Sequence, residues 1–171
     1  NLPAAKRVAA ELLAGHAVGV AVTDELQPAP YPVTLWLRPK NLAVGVGCKR
    51  GTEPELLRGC FLDFMKNSGY SPLSAAVVAS VEQKKDEAAI AGLAEFYQIP
   101  FETFTATELM ALPGEFTPSP AAIAAVGADN VCERAALYAS REGRVIMKKH
   151  AAGGVTAAAA VDRWTCGFGE E

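Results

Sequence analysis

The hydrophobic positions of this chain follow two different periods, and their order predicts strands that alternate with helices. Short, mostly apolar runs predict strands at residues 17–23, 33–39, 42–47, 75–81, 101–104, 144–149 and 155–161. Apolar residues three and four positions apart predict helices at residues 3–14, 52–69, 86–97 and 131–140, with shorter helices opening at Thr105 and Ser119. Strands separated by helices are typical of α/β proteins.

The last two predicted strands are joined through residues 152–154, Ala-Gly-Gly, which predicts a β-hairpin. A hairpin is antiparallel, whereas strands joined by helices are usually parallel, so a mixed sheet is expected. The fold class is therefore predicted to be α/β, a three-layer α/β/α sandwich with a mixed sheet. Two helix starts carry the capping-box pattern T-x-x-E, Thr52 with Glu55 and Thr105 with Glu108.

A change in composition near residue 40 predicts that the chain has two parts. The stretch 24–32 contains three prolines and no hydrophobic period, which is typical of a loop or linker. The regular alternation of strands and helices begins only after it. We expect residues 1–40 to be the tail of a preceding region and residues 41–171 to form the main domain.

Composition and charge narrow the classes of function. Half of the 171 residues are hydrophobic and a fifth are charged, which is typical of a globular protein. A net charge of −3 without a long basic run gives no reason to expect nucleic-acid binding. No apolar run reaches the roughly 18 residues of a membrane span, and the dispersed cysteines lack the C-x-x-C spacing of a zinc site. We expect a cytoplasmic protein without a metal of its own, and the missing initiating Met suggests a piece of a longer chain.

The segment Gly45–Thr52, GVGCKRGT, carries the clearest candidate chemistry. Its glycines allow the backbone to approach a ligand, and the helix that follows offers free N–H groups to an anion. Lys49 and Arg50 add two cationic donors, and a guanidinium suits a carboxylate. The spacing matches neither the P-loop nor the dinucleotide-binding fingerprint. The loop is predicted either to bind an anion or to be a tight turn with solvated basic side chains.

Cys48 lies inside this loop. A helix N-terminus and two neighbouring cations are expected to lower the pKa of its thiol. His16 and His150 are both remote along the chain, so no paired base is evident. Cys48 is therefore interpreted as a small loop residue and not as a nucleophile.

Charged residues also follow the predicted strand at 75–81. Residues 82–87 include Lys84 and Glu87, and they are expected at the same edge of the sheet as the glycine loop if the two strands are parallel. The alternative is a solvated turn that caps the next helix. Glu133, early in a predicted helix, is interpreted as a surface acid that matches the helix dipole.

Four motifs, taken in order, resemble the C-terminal domain of the CbiG family of cobalamin-biosynthesis proteins and its stand-alone relative CobE. They are GVGCKRGT at 45–52, ASVEQKKDE at 79–87, SPAAIAAVGADNVCERAAL at 119–137 and KKHAAGGVTAAAA at 148–160. Lys148 and Lys149 are both candidates for the family's closing lysine, and Thr156 matches its Gly-Val-Thr. By the same resemblance, residues 1–40 are similar to the tail of the middle region that precedes this domain in full-length CbiG.

The resemblance implies a role in the anaerobic route to vitamin B12. There CbiG opens the δ-lactone of cobalt-precorrin-5A and releases acetaldehyde. It implies no separate cofactor, because cobalt arrives inside the corrinoid substrate, and it implies the N-terminal domain of the parent protein as a partner.

A corrinoid is a large apolar disc fringed with carboxylates, so it needs a broad cleft with a few cationic anchors. The residues expected to bind it are Gly47, Cys48, Lys49, Arg50, Gly51, Thr52, Lys84, Lys149 and Thr156.

The resemblance leaves two functions open, a part of the hydrolase or a non-catalytic module that holds the corrinoid. In the first, Glu87 or Glu133 is a candidate general base, with the loop N–H groups holding the oxyanion. A capping or surface role is the simpler interpretation of both carboxylates. Outside the family, the glycine loop is also compatible with a phosphate- or nucleotide-binding α/β domain.

Overall fold

The computed structural model describes residues 2–141 and 143–162. The strands are β1 (Val18–Val22), β2 (Val33–Leu37), β3 (Leu42–Cys48), β4 (Ala75–Val81), β5 (Phe101–Phe104), β6 (Arg144–Ala152) and β7 (Val155–Val161). The α-helices are α1 (Leu2–Leu13), α2 (Pro54–Asn67), α3 (Ala88–Tyr97), α4 (Ala106–Ala111), α5 (Pro120–Val126) and α6 (Cys132–Ala139). The predicted order of strands and helices is therefore confirmed.

Five of the strands form one mixed sheet in the order β5-β4-β3-β7-β6. Strands β3, β4 and β5 are parallel, whereas β7 is antiparallel to both β3 and β6. This topology places the carboxyl ends of β3, β4, β5 and β6 at one edge, together with the amino end of β7. The loops at this edge, residues 48–53, 82–87 and 152–155, are called the rim below.

Helices cover both faces of this sheet. The buried residues of α2 and α3, among them Leu57, Phe61 and Ile90, pack in one apolar cluster with Val44 and Val46 of β3. Helix α6 contacts β3, β4, β6 and β7, and its Ala135 packs with residues of β4 and α4 in a second cluster. The predicted three-layer α/β/α sandwich is confirmed.

Gly45 is the point where helix α6 comes closest to the sheet. A Cβ atom added there would lie 1.8 Å from the Cys132 carbonyl oxygen and 2.8 Å from the Ala136 nitrogen. Since any side chain at this position would overlap backbone, the glycine is required by packing. Packing against α6 thus accounts for Gly45 without a ligand.

The hairpin and one of the two capping boxes form as predicted. Gly153 and Gly154 join β6 to β7 with φ values of 59° and 80°, the left-handed conformation that a tight hairpin turn requires. Thr105 and Glu108 form a complete capping box at α4. The box predicted at Thr52 is wrong, because α2 begins at Pro54, the N-cap is Glu53, and no side chain caps that helix.

Residues before the main sheet form a small unit of their own. Helix α1 packs on β1 and β2, which pair in a separate, parallel, two-stranded sheet. Backbone hydrogen bonds join the two units, from Leu26 N to Gly69 O (2.6 Å) and from Ser71 N to Asp24 O (2.7 Å). The change of sheet falls near residue 40, but the division into domains stays a prediction, and residues 163–171 lie outside the described residues.

Candidate functional site

The rim brings together residues from three of the four motifs. The amide of Gly51 donates a hydrogen bond to Glu87 Oε1 (2.9 Å), although the two residues are 36 positions apart. Thr156 pairs with Gly47 across β7 and β3, with 3.4 Å between its Oγ1 and the Gly47 carbonyl oxygen. The aliphatic stem of Lys49 passes over the hairpin turn, where a Cβ on Gly154 would lie 3.3 Å from it.

Lys84 and Glu87 form an ion pair at the rim. Lys84 Nζ lies 3.1 Å from Glu87 Oε2, and the side chains are only 18% and 9% exposed. Burial by itself would raise the pKa of Glu87, but hydrogen bonds from Lys84 and Gly51 outweigh it and hold that pKa below its usual range. Glu87 is therefore an ionised carboxylate with both oxygens engaged.

Two further cations are accessible at the rim. Lys49 and Arg50 are exposed, and neither side chain forms an ion pair among the residues that the structure describes. Their loop is closed by Thr52, whose hydroxyl donates to the Lys49 carbonyl (2.8 Å). The turn is completed by Gly51, which has φ +69° and open space where a Cβ would be. The rim thus presents positive charge to solvent on a closed turn.

The thiol of Cys48 does not have the lowered pKa expected from its neighbours. It is half-buried, and desolvation raises its pKa more than nearby Lys84 lowers it. Lys49 and Arg50, the two cations expected to lower this pKa, are exposed, and water screens their effect on the thiol. The expectation of a lowered pKa is wrong.

Glu133 is buried, so its interpretation as a surface acid is wrong. It is 1% exposed. Its two carboxylate oxygens accept the backbone N–H groups of Thr117 (2.9 Å) and Lys149 (2.7 Å). Burial would raise its pKa, but these hydrogen bonds lower it below the usual range. Glu133 therefore ties the loop before α5 to β6, with one backbone hydrogen bond on each oxygen.

Lys149 is not among the groups at the rim. It lies three residues before the end of β6, and its ammonium is 3.4 Å from the Pro118 carbonyl oxygen. Lys148 is exposed beside it and lines an open groove of about 430 Å³ between the end of α2 and β6, together with Phe64, Tyr70 and His150. Both lysines thus lie within β6, outside the three loops of the rim, and the expectation that Lys149 binds the ligand stays a prediction.

Asn130 joins the loop before α5 to the start of α6, and it is not among the site residues predicted from the sequence. It is fully buried, its amide donates to the Thr117 carbonyl (2.7 Å), and its oxygen accepts the Glu133 N–H (2.8 Å). An Asn just before a predicted helix is a typical N-terminal capping residue, and that signal was present in the sequence.

The described residues contain neither a cluster of metal-binding side chains nor a membrane-spanning helix. Within 2–141 and 143–162, no group of three or more His, Cys, Asp or Glu side chains is arranged to hold a metal ion. Over the same residues, no helix combines the length and apolar character needed to cross a membrane.

Comparison with known proteins links this arrangement to one family. The family model described as Cobalamin synthesis G C-terminus matches residues 42–160. Protein CobE from a Sinorhizobium species is 31% identical over 70% of this chain and 79% of its own length. Cobalt-precorrin-5A hydrolases from Salmonella typhimurium and Priestia megaterium are 31% and 30% identical, and the chain spans only 34% and 33% of their lengths.

Solved structures agree with these sequence matches. The crystal structure of CobE, a protein from the cobalamin biosynthetic pathway, superposes with a TM-score of 0.66 at 26% identity, over 72% of this chain and 91% of CobE. A cobalamin biosynthesis protein G homolog from Sulfolobus solfataricus has the same fold with a TM-score of 0.58 at 20% identity. That match covers 91% of this chain and 54% of the homolog, so it extends into the first, smaller unit.

Proposed function

Because the chain belongs to the family of cobalamin synthesis G C-terminal domains, we propose that it is the corrinoid-binding part of a cobalt-precorrin-5A hydrolase. Its place in cobalamin biosynthesis follows from the family. What we propose beyond the family is the substrate, the surface that binds it, and which steps need the rest of the parent protein.

The observation that carries the proposal is the cluster of cations at the rim. Lys49 and Arg50 extend from the glycine loop, and Lys84 lies beside it, in contact with Glu87. A corrinoid intermediate carries acetate and propionate groups around its ring, and their carboxylates match several cations at one edge. Arg50 is the strongest of these donors, because a guanidinium holds a carboxylate through two parallel hydrogen bonds.

The state of the two candidate acids supports binding more than catalysis by this chain. A general base needs a lone pair directed at the water that it activates and a pKa near the operating pH, whereas hydrogen bonds within the protein hold the pKa of both acids below the usual range. Glu87 and Glu133 each use both oxygens in hydrogen bonds or ion pairs within the protein. We therefore propose that opening of the δ-lactone needs groups from the rest of the parent protein.

A stand-alone module without turnover is the second candidate. The observation in its favour is the extent of the match to CobE, of which the chain covers 79%. In this alternative the domain holds or passes a corrinoid and takes no part in lactone opening.

An acetaldehyde assay separates these functions. This chain and the full-length parent protein would each be incubated with cobalt-precorrin-5A, and bound corrinoid and released acetaldehyde would be measured. We expect the chain to bind without release and the full-length protein to release acetaldehyde. Release by the chain alone would place catalysis within it, and binding by both without any release would favour the stand-alone module. Absence of binding to the chain would refute both.

The role of Arg50 is testable by substitution. We expect Arg50→Ala to weaken the affinity for cobyrinic acid, a corrin with free carboxylates, about tenfold, because a charge-assisted pair is lost. Titration calorimetry would measure the affinity of each variant for cobyrinic acid. Arg7→Ala, which removes the same charge from the exposed surface of α1, is the control and should bind as the wild type does. Unchanged affinity of Arg50→Ala would remove this side chain from the site.

A further inference from the structure

We infer that Glu87 is a positioning residue of the corrinoid site, which fixes Lys84 and the Gly51 turn in one arrangement before the ligand arrives. The inference rests on the proposed function. It assigns a role to Glu87, an acidic residue that would not itself bind the carboxylates of the ligand. It replaces the interpretation of Glu87 as a general base or as a helix cap.

The first argument is the direction of the side chain. Glu87 occupies the N-cap position of α3, where an acidic side chain would ordinarily accept a hydrogen bond from its own helix. It makes no such bond. Its carboxylate turns to the glycine loop instead and accepts the Gly51 amide, which belongs to a different strand-to-helix connection. The side chain therefore joins two loops of the rim and leaves the N-terminus of α3 without a side-chain cap.

The second argument is how the two oxygens are divided. Oε1 accepts from the Gly51 backbone at 2.9 Å, and Oε2 contacts Lys84 Nζ at 3.1 Å. One carboxylate thus sets the distance between a backbone amide of the glycine loop and an ammonium of the 82–87 loop. An ammonium has three donors, so Lys84 keeps hydrogens for a ligand carboxylate while it is held by Glu87.

The third argument is burial. The Lys84 and Glu87 side chains are 18% and 9% exposed, so the pair is shielded from water much more than an ordinary surface ion pair. Lys84 without its partner would be a poorly solvated charge on a flexible four-carbon stem. Held by Glu87, it loses less freedom when a ligand binds, and preorganisation of this kind increases affinity.

Glu87→Gln is the variant that tests the role. Glutamine keeps the shape and one oxygen for the Gly51 amide, but it turns an NH₂ group towards the Lys84 ammonium, so donor faces donor. We expect affinity for cobyrinic acid to fall about tenfold, with little effect on its fully methylated ester, which carries no carboxylates. Glu82→Gln, an exposed acid on the same loop, is the matched control and should bind as the wild type does.

A double-mutant cycle distinguishes positioning from a general structural role. If Glu87 acts through Lys84, then Glu87→Gln should cause no further loss of affinity in a Lys84→Met background. Additive losses would overturn the inference, as would unchanged affinity of Glu87→Gln. Tighter binding by Glu87→Gln would also overturn it, because Glu87 would then be competing with the ligand carboxylate.

A second variant keeps the test valid if Glu87→Gln does not fold. Glu87→Asp retains the charge but is one methylene shorter, so it cannot reach both Gly51 and Lys84, and we expect an intermediate loss of affinity. Wild-type affinity of Glu87→Asp would contradict the inference. The wild-type protein separates the two proposals: if it does not bind cobyrinic acid, the proposed function fails, whereas binding that is insensitive to Glu87 refutes only the positioning role.

Discussion

The glycines around the candidate site are needed for different physical reasons, some for packing and one for the geometry of a turn. Gly45 is needed for contact between helix α6 and the sheet, and Gly47 leaves room for Thr156, whose Oγ1 would be 2.7 Å from an added Cβ. Of the three glycines in the segment 45–52, only Gly51 has both a positive φ and open space around it. The same residue type within one short motif therefore serves packing at two positions and turn geometry at the third.

At the residue scale, Gly45→Ala should strongly destabilise the protein. The added methyl group overlaps the Cys132 carbonyl, so α6 must move, and we expect the free energy of unfolding to fall by about 3 kcal/mol. Urea denaturation would measure it. Gly59→Ala on α2 is the control, because nothing lies within 4 Å of the added atom and alanine favours a helix by about 0.5–1 kcal/mol. Equal stability of Gly45→Ala and wild type would mean that the contact can relax freely.

Glu133 shows why a single acidic residue could not be interpreted from sequence. An acid in the first turn of a helix is usually a surface residue that matches the helix dipole. Here the carboxylate is buried because two backbone amides, from the loop before α5 and from β6, point at it. Each of those amides lies 16 residues away along the chain. No local pattern in the sequence contains that information.

At the scale of single elements, the two T-x-x-E patterns behaved differently for a local reason. Both have the residues of a capping box, but only the one at Thr105 places its threonine at the N-cap. In the pattern at Thr52, the helix begins at Pro54, two residues after the threonine, and Glu53 is the N-cap. Proline is well suited to the first turn of a helix, because it has no N–H that needs a cap. The pattern predicted the presence of a helix correctly and its first residue incorrectly.

This difference predicts unequal effects of two similar substitutions. Thr105→Ala removes the cap of α4 and should lower the free energy of unfolding by about 1 kcal/mol. Thr52→Ala removes only a hydroxyl that donates to the Lys49 carbonyl in a turn, and should cost less than about 0.5 kcal/mol. Chemical denaturation of both variants, compared with wild type, would measure the two costs. A larger loss for Thr52→Ala would show that the turn, and not the cap, limits stability.

At the scale of the whole molecule, the two sheets are joined by few polar contacts. Besides the backbone bonds of Leu26 and Ser71, Asn41 Nδ2 donates to Asp24 Oδ2 (2.8 Å). Asn41 Oδ1 is buried without a partner. The apolar clusters described above lie entirely within the five-stranded sheet and its helices. The larger unit should therefore be able to fold without the smaller one.

Removal of the first 40 residues tests this independence and the predicted domain boundary. We expect residues 41–171 to unfold in one cooperative transition, with the free energy of unfolding lower by about 1.5–4.5 kcal/mol, because three hydrogen bonds of about 0.5–1.5 kcal/mol each are lost. The CobE structure, which matches 72% of this chain and 91% of CobE, supports this expectation. Circular dichroism during heating would measure the unfolding transition of the shortened chain and of the whole chain. A broad transition, or loss of near-ultraviolet signal in the shortened chain, would contradict the boundary.

The sequence by itself determined the order of strands and helices, the mixed sheet, the hairpin at Gly153-Gly154 and the family. These features depend on hydrophobic period, on glycine conformation and on motifs in a fixed order, all of which are read locally along the chain. The sequence also predicted that the glycine loop and residues 82–87 share one edge if β3 and β4 are parallel, and the two strands are parallel.

Only the tertiary structure decided which charged groups meet. It pairs Glu87 with both Lys84 and the Gly51 amide, buries Glu133 and joins the Glu133 carboxylate to the Lys149 N–H. Hydrogen-bond partners and burial depend on strand register and on the approach of helices across the sheet, and these join residues far apart in the chain. The sequence therefore located the candidate site, and packing decided which of its side chains remain free to bind a ligand.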